Sequence, residues 1–133
     1  MPTEPPRPTD SELAILRVLW ARGPSTVREV HDALNVDRKT GYTTVLKFMQ
    51  IMHEKGLLER DESQRSHVYT AKPSQQSTQK QLVKDLLDRA FGGSAKQLVM
   101  QALSAARTSP QELKEIRKLI DEANHNPSKR GQS

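Results

Sequence analysis

The segment from Gly41 to Arg60, GYTTVLKFMQIMHEKGLLER, changes its hydrophobic period at Gly56, and this change limits the folds open to the chain. Before the glycine, apolar side chains recur at the helical spacing i, i+3, i+4 and i+7. They are Val45, Phe48, Met49 and Met52. After it, residues 57–61 (LLERD) and 66–71 (SHVYTA) favour two short strands joined by a polar tip. The sequence therefore predicts a helix over about Thr43–Lys55, stopped by the glycine and followed directly by a β-hairpin.

Two more helices are predicted upstream of this segment. Thr9 and Glu12 have the spacing of a capping box at the start of the first helix, and Gly23 ends it. The apolar side chains on its inner face are Leu13, Leu16, Leu19 and Trp20. Ser25 or Thr26 caps a second, shorter helix. Its inward side chains are Val27, Val30 and Leu34. Three helices and a hairpin within about 65 residues are the arrangement of a winged helix-turn-helix.

The polar face of the third helix suits the reading of DNA. In a winged helix-turn-helix this helix enters the major groove with its N-terminal residues. Lysine suits guanine acceptors, glutamine suits adenine, and threonine suits either or a thymine methyl group. We predict that the base-reading side chains are Thr43, Thr44, Lys47 and Gln50. We predict that further side chains donate to phosphate oxygens, from the polar connector before the third helix (residues 35–41) and from the β-hairpin, which forms the wing. They are Arg38, Lys39, Arg60, Arg65 and His67.

Three further helices are predicted after Pro73, over residues 75–91 and from Ser94 and Ser109. Each has an apolar stripe, and the sequence provides no fourth helix or sheet to cover the three stripes. Pairing with a second copy would bury them, so we interpret the region as a dimerisation domain. The side chains expected in the dimer are Leu82, Leu86, Leu87, Phe91, Leu98, Leu103, Leu113, Ile116, Leu119 and Ile120. A ligand-binding bundle is the alternative, but the stripes hold no cluster of convergent polar groups.

The predicted fold class is mostly α with a small β-hairpin, a winged helix-turn-helix domain followed by a helical dimerisation domain. We expect a disordered lead over residues 1–8, the DNA-binding domain over 9–73, the dimerisation domain over 74–123 and a disordered tail over 124–133. The formal charge of +5 favours polyanionic partners only modestly. The absence of cysteine excludes a disulfide framework, thiolate metal sites and a cysteine nucleophile.

The expected location is the cytoplasm, with no direct membrane binding. No apolar run approaches about 18 residues, and the polar, proline-rich N-terminus has no apolar core of a secretory signal. We predict no enzymatic activity, no cofactor and no metal site. The histidines have no partner at metal-ligand spacing, and the chain has no glycine-rich phosphate-binding motif. A winged-helix adaptor that binds a protein is the alternative function. It would need an apolar outward face on the third helix, where only Leu46 and Ile51 are candidates.

The run YTTVLKFMQIMHEKGLLERDESQRSHVY resembles the penicillinase-repressor family, also called BlaI/MecI, with the CopY repressors as relatives. The start ELAILRVLWARGPSTVREV, the Gly-Gly-Ser after Phe91 and the ending ELKEIRKLID are similar to that family as well. The resemblance covers roughly residues 9–122. It implies a homodimeric winged-helix repressor that binds a palindromic operator in double-stranded DNA and blocks transcription.

The resemblance also implies a route of release from DNA. In that family a membrane sensor-protease that detects β-lactams triggers cutting at an Asn-Phe pair in the C-terminal domain. The segment GGSAKQLVMQALS is similar to the cut region and has Gln101-Ala102 at the position of that pair. Release by a small molecule, with the chain left intact, is the alternative. CopY-type relatives sense copper through paired cysteines, which this chain lacks.

Overall fold

A computed structural model describes residues 6–36 and 39–125, and within them it has the predicted fold class. Most of the chain is helical, and a small antiparallel sheet follows the third helix. In chain order the elements are α1 (Asp10–Arg22), β1 (Ser25–Thr26), α2 (Val27–Leu34), α3 (Tyr42–Lys55), β2 (Leu58–Asp61), β3 (Val68–Ala71), α4 (Gln75–Ala90), α5 (Ala95–Ala105) and α6 (Pro110–Asn124). Arg38 and most of the predicted disordered lead and tail lie outside the described residues.

The chain divides into two compact units, the first ending at Leu86 and the second beginning at Leu87, so the division falls inside α4. The boundary predicted from the sequence, between residues 73 and 74, stays a prediction. The start of α4 belongs with the first unit, and Thr78 on it is buried. Just before α4, the Trp20 indole donates a hydrogen bond to the carbonyl oxygen of Pro73 at 3.0 Å. The predicted dimerising role of the later helices stays a prediction.

Side-chain caps begin the helices where the sequence placed them. Thr9 forms a capping box with Glu12, and Thr26, not Ser25, forms one with Glu29 at the start of α2. Ser94 and Ser109 cap α5 and α6 by accepting a hydrogen bond from the backbone N–H of the third residue of each helix. Gly56 ends α3 at its C-terminus and has a φ of 86°, a left-handed conformation that a residue with a Cβ adopts only with strain.

The core of the first unit lies where α1, α2, α3 and the sheet meet. Its buried apolar side chains are Ile15, Leu16, Leu19, Val27, Val30, Val45, Met49, Met52, Leu57, Leu58 and Tyr69. Three of the four positions predicted on the inner face of α3 are therefore confirmed as buried. The fourth, Phe48, is half-buried and packs against the edge of this core.

The sheet has a third strand that the sequence analysis missed. β3 lies in the middle, with β2 antiparallel on one side and the two-residue β1 on the other. In β1, Thr26 pairs with Val68 and also caps α2. This one residue therefore fixes the hairpin, hereafter the wing (residues 58–71), against the start of α2.

The second unit has a different character. Gly92 and Gly93 have φ values of 57° and 81° and turn the chain from α4 into α5. No side chain is buried between residues 87 and 125 in a single chain. Large apolar side chains of α5 and α6 are exposed instead, namely Val99, Met100, Leu103, Leu113, Leu119 and Ile120. Across residues 6–36 and 39–125, no helix is long and apolar enough to cross a membrane.

Glu12 joins the start of α1 to the end of α3. Its side chain is 4% exposed, and its oxygens accept hydrogen bonds from the Lys55 Nζ at 2.9 and 2.8 Å and from the Thr9 N–H at 3.0 Å. Burial alone would raise the pKa of Glu12. The hydrogen bonds from Lys55 and Thr9 and the charge of Lys55 outweigh burial, so the pKa lies below its ordinary value of 4.5.

We expect Lys55→Met to lower the free energy of unfolding by about 1–3 kcal/mol at neutral pH, because it leaves a buried carboxylate without its cation. Lys47→Met is the matched control, since Lys47 is an exposed lysine of the same helix. That variant should stay within about 0.5 kcal/mol of the parent in urea unfolding. Equal losses in the two variants would contradict the assigned role of Lys55.

The stability difference between the parent and Lys55→Met should shrink in acid. Folding lowers the pKa of Glu12, so its ionisation stabilises the fold fully above its ordinary value of 4.5. That contribution is lost as the pH falls through the lower pKa of the folded state. Urea unfolding of both proteins between about pH 7 and pH 3 measures the difference. A difference that stays constant over this range would be inconsistent with an ionised, paired Glu12.

Candidate nucleic-acid interface

The outward side of α3 carries the side chains predicted to read bases. Thr43, Thr44, Lys47 and Gln50 are all exposed. Val45 and Met49, on the inner side of the same helix, are fully buried. The structure thus brings the four polar residues together on one solvent-facing surface, hereafter the reading face. Their contact with bases stays a prediction.

Asn35 fixes the point from which α3 starts, a role that the sequence analysis missed. Its Nδ2 donates hydrogen bonds to the carbonyl oxygens of His31 at 2.7 Å and Thr40 at 3.0 Å. Its Oδ1 accepts a hydrogen bond from the Thr40 N–H at 2.7 Å. One side chain therefore ties the residue before Gly41 to the C-terminal end of α2. Asparagine at a helix end is a common signal for such local bonds, and it could have drawn attention to this position.

The wing presents its tip beside α2 and α3. Asp61 accepts a hydrogen bond from the Ser63 N–H at 2.9 Å, which shapes the turn and lowers the pKa of Asp61. Arg65 and His67, both predicted phosphate donors, are exposed. A cleft separates the wing from the two helices. Its polar lining includes Arg28, Tyr42, Gln50, Arg60, Arg65 and His67.

Arg60 differs from the other predicted phosphate donors because it has an acidic partner within the wing. Its Nε donates to the Glu62 Oε2 at 2.7 Å, and its Nη2 lies 2.6 Å from the same oxygen. It lies opposite Tyr69 in the β2–β3 pairing, and its interactions with Tyr69 and then with Glu62 raise the pKa of Arg60. The side chain is 23% exposed. The sequence did not reveal this pairing.

Arg28 is a cation of the cleft that the sequence did not reveal as part of the interface. The Arg28 guanidinium carbon lies 4.8 Å from the centroid of the Tyr42 ring, a cation–π contact. The edge of His31 packs against the same ring, with centroids 5.9 Å apart. Arg28 is exposed at the first turn of α2, so its charge faces the cleft while its position is held by the ring. Lys39, in the connector, is exposed as well.

The arrangement suits a polyanion that carries readable edges. Exposed cations flank a polar helix face whose one charged side chain is Lys47, which is the combination needed for phosphate contacts beside base contacts. Leu46 packs against the core and Ile51 is half-buried, so α3 offers little of the apolar outward face that an adaptor would need. Among the described residues, no group of three or more histidine, aspartate and glutamate side chains is placed to hold a metal ion.

Comparison with known proteins finds similar transcriptional regulators. The sequence profile of the Penicillinase repressor family matches residues 8–122. The chain is also 33% identical over 92 residues to the transcriptional regulator BlaI of two Mycobacterium tuberculosis strains. The aligned region covers 68% of this chain and 67% of that regulator.

We expect Asn35→Ala to destabilise the turn before α3, because the carbonyl oxygens of His31 and Thr40 each lose a donor and the Thr40 N–H loses its acceptor. The Thr40 amide should exchange with solvent deuterium at least about tenfold faster, the equivalent of one lost hydrogen bond. Asn35→Asp is the matched control, since its carboxylate keeps the acceptor for the Thr40 N–H and loses both donors. If the Thr40 amide exchanged at the parental rate in Asn35→Ala, the Asn35 bonds would not hold the turn.

Proposed function

The chain belongs to the penicillinase repressor family of transcriptional regulators, and we propose that it represses transcription as a homodimer bound to a palindromic operator in double-stranded DNA. The observation that carries this proposal is the reading face. It places four exposed polar side chains outward on a helix whose opposite side is fully buried in the core. Such a helix can enter the major groove without uncovering apolar surface.

The proposed roles divide the interface into two kinds of contact. Thr43, Thr44, Lys47 and Gln50 read base edges, which specifies the sequence. Lys39, Arg65 and His67 bind phosphate oxygens, which positions the protein on any duplex, and the same role is proposed for Arg38 and Arg60. The cleft beside the wing supports this division, since Gln50 of the reading face and two wing cations line it together.

The proposed dimer is formed by the apolar stripes of α4, α5 and α6. Leu86, Leu103, Leu113, Leu119 and Ile120 are exposed in a single chain. The remaining predicted positions are half-buried, namely Leu82, Leu87, Phe91, Leu98 and Ile116. Exposed apolar stripes of this kind favour an interaction with a partner, and a second copy of the chain related by a two-fold axis would cover them. A two-fold dimer also fits an inverted repeat, with half-sites about one helical turn or a multiple apart.

Release from the operator is proposed to follow cutting in the C-terminal region, through a membrane sensor-protease as partner. Gln101 and Ala102 are exposed within α5, so a protease would first have to unwind that helix. No side chain of α5 is buried in a single chain, so local opening of this helix costs little free energy whenever the proposed dimer separates. During derepression in cells, fragments that meet at residues 101 and 102 would support this route. Full-length protein that persists would instead support release by a small molecule.

Selection of duplexes from a random DNA pool by the purified protein, at about 0.15 M salt, tests the proposed function. An enriched inverted repeat is the expected result. Failure to enrich any sequence, together with capture of a partner protein that survives nuclease and high salt, would overturn DNA reading and favour the adaptor.

Lys47→Ala should reduce discrimination between the selected operator and a mismatched one by about 1–3 kcal/mol, because it removes a contact to a base edge. Arg65→Ala is the matched comparison. It should weaken binding to all duplexes alike and flatten the logarithmic salt dependence by about one contact. Titrations on both duplexes at several salt concentrations separate the two effects. Unchanged discrimination in Lys47→Ala would remove that residue from the reading face.

Ile120→Glu should dissociate the proposed dimer, since it places a charge in an apolar stripe. The side chain is 57% exposed in a single chain, so the variant should keep its fold. Lys118→Ala changes the net charge by the same amount on the opposite side of α6 and should leave the dimer intact. Sedimentation of the three proteins measures the assembly. A monomeric parent, or an Ile120→Glu variant that stays dimeric, would contradict the assigned interface.

A further inference from the structure

The wing has a carboxylate where one of its cations should meet DNA. The guanidinium of Arg60 lines the cleft beside the reading face, as a phosphate donor should. Glu62 already accepts from two nitrogens of this guanidinium, at 2.7 and 2.6 Å. Arg60 also lies directly opposite Tyr69 in the β2–β3 pairing, and Tyr69 is 2% exposed. The strand pairing therefore fixes the backbone position of Arg60 beside a buried ring, and its guanidinium is occupied by Glu62.

A carboxylate and a phosphodiester present similar oxygens to a guanidinium, so the two can replace one another. Glu62 is suited to such an exchange because its side chain is 53% exposed and can swing into solvent. The Arg60 hydrogen bond, with the charges of Arg60 and His67, lowers the pKa of Glu62, so the group is ionised at neutral pH. Beside a DNA backbone this ionised group would also be repelled by the phosphates.

Resting on the proposed DNA binding, we propose that Glu62 is an intramolecular competitor of DNA phosphate for Arg60. When the wing docks, a backbone phosphate replaces the carboxylate on the guanidinium, and only hydrogen bonds are exchanged. Glu62 thereby weakens binding to every duplex by a similar factor, because phosphate contacts carry no sequence information. A larger share of the affinity for an operator then comes from the reading face.

The test compares Glu62→Gln with Glu59→Gln on a mixed-sequence duplex of about 30 base pairs, which needs no knowledge of the operator. Glu59 is exposed in β2, the strand that contains Arg60, and side-chain alternation along β2 points it away from Arg60. Both variants raise the net charge by the same amount. Each substitution is repeated in an Arg60→Gln background, and thermal unfolding checks that all variants are folded.

We expect Glu62→Gln to bind about three- to tenfold more tightly than the parent at about 0.1 M salt, with a similar logarithmic salt slope because the same phosphate contact forms in both complexes. Glu59→Gln should show only the smaller gain of a screened, distant charge. In the Arg60→Gln background the two glutamate variants should become equal.

Two results would overturn the inference while leaving DNA binding in place. Equal gains from Glu62→Gln and Glu59→Gln would assign the effect to net charge. Weaker binding by Glu62→Gln would mean that the carboxylate holds Arg60 in its binding position. A parent protein with no salt-dependent affinity for any duplex would overturn the proposed function itself, and the inference with it.

Discussion

The buried carboxylate of Glu12 is the contact on which the placement of the reading face depends. It accepts a hydrogen bond from the Thr9 N–H at the start of α1 and one from the Lys55 Nζ in the last turn of α3. A buried ion pair contributes little net stability, because replacing both partners with apolar groups is often neutral or stabilising. Its contribution here is positional. The buried carboxylate needs the Lys55 ammonium beside it, so only orientations of α3 that keep Lys55 at this point are favourable.

Two other contacts, which do not involve Glu12, position the start of α3 and the wing. Asn35 holds the start of α3 against α2, and Thr26 holds the wing by its pairing in β1. With α3 tied at both ends, the distance between the reading face and the wing is set by packing and hydrogen bonds within the first unit. Pre-organisation of this kind reduces the ordering cost of binding, so more of the contact energy appears as affinity.

The helices, their caps and the wing could be predicted because their signals are local. Thr9 with Glu12, Ser109 with Pro110 and the glycine at 56 each act within one turn of chain. β1 could not be predicted because two residues have no period, and its partner lies more than forty residues away. The reading-face positions were predicted from helical periodicity, and the buried inner side of α3 confirms that periodicity. The pairing of Arg60 with Glu62 could not be predicted because the side-chain conformations of a polar turn leave no periodic signal in the sequence.

The two units differ in what keeps them folded, and this bears on how a repressor of this design could be released. The first unit has its own buried core, whereas no side chain between residues 87 and 125 is buried in a single chain. Isolated helices of the lengths of α5 and α6 are marginal in water, even with good caps. Under the proposed function, their order is therefore linked to dimerisation by mass action. A cut in α5 would then not need to touch the reading face, because loss of the dimer alone would convert two linked contacts with the operator into two weak ones.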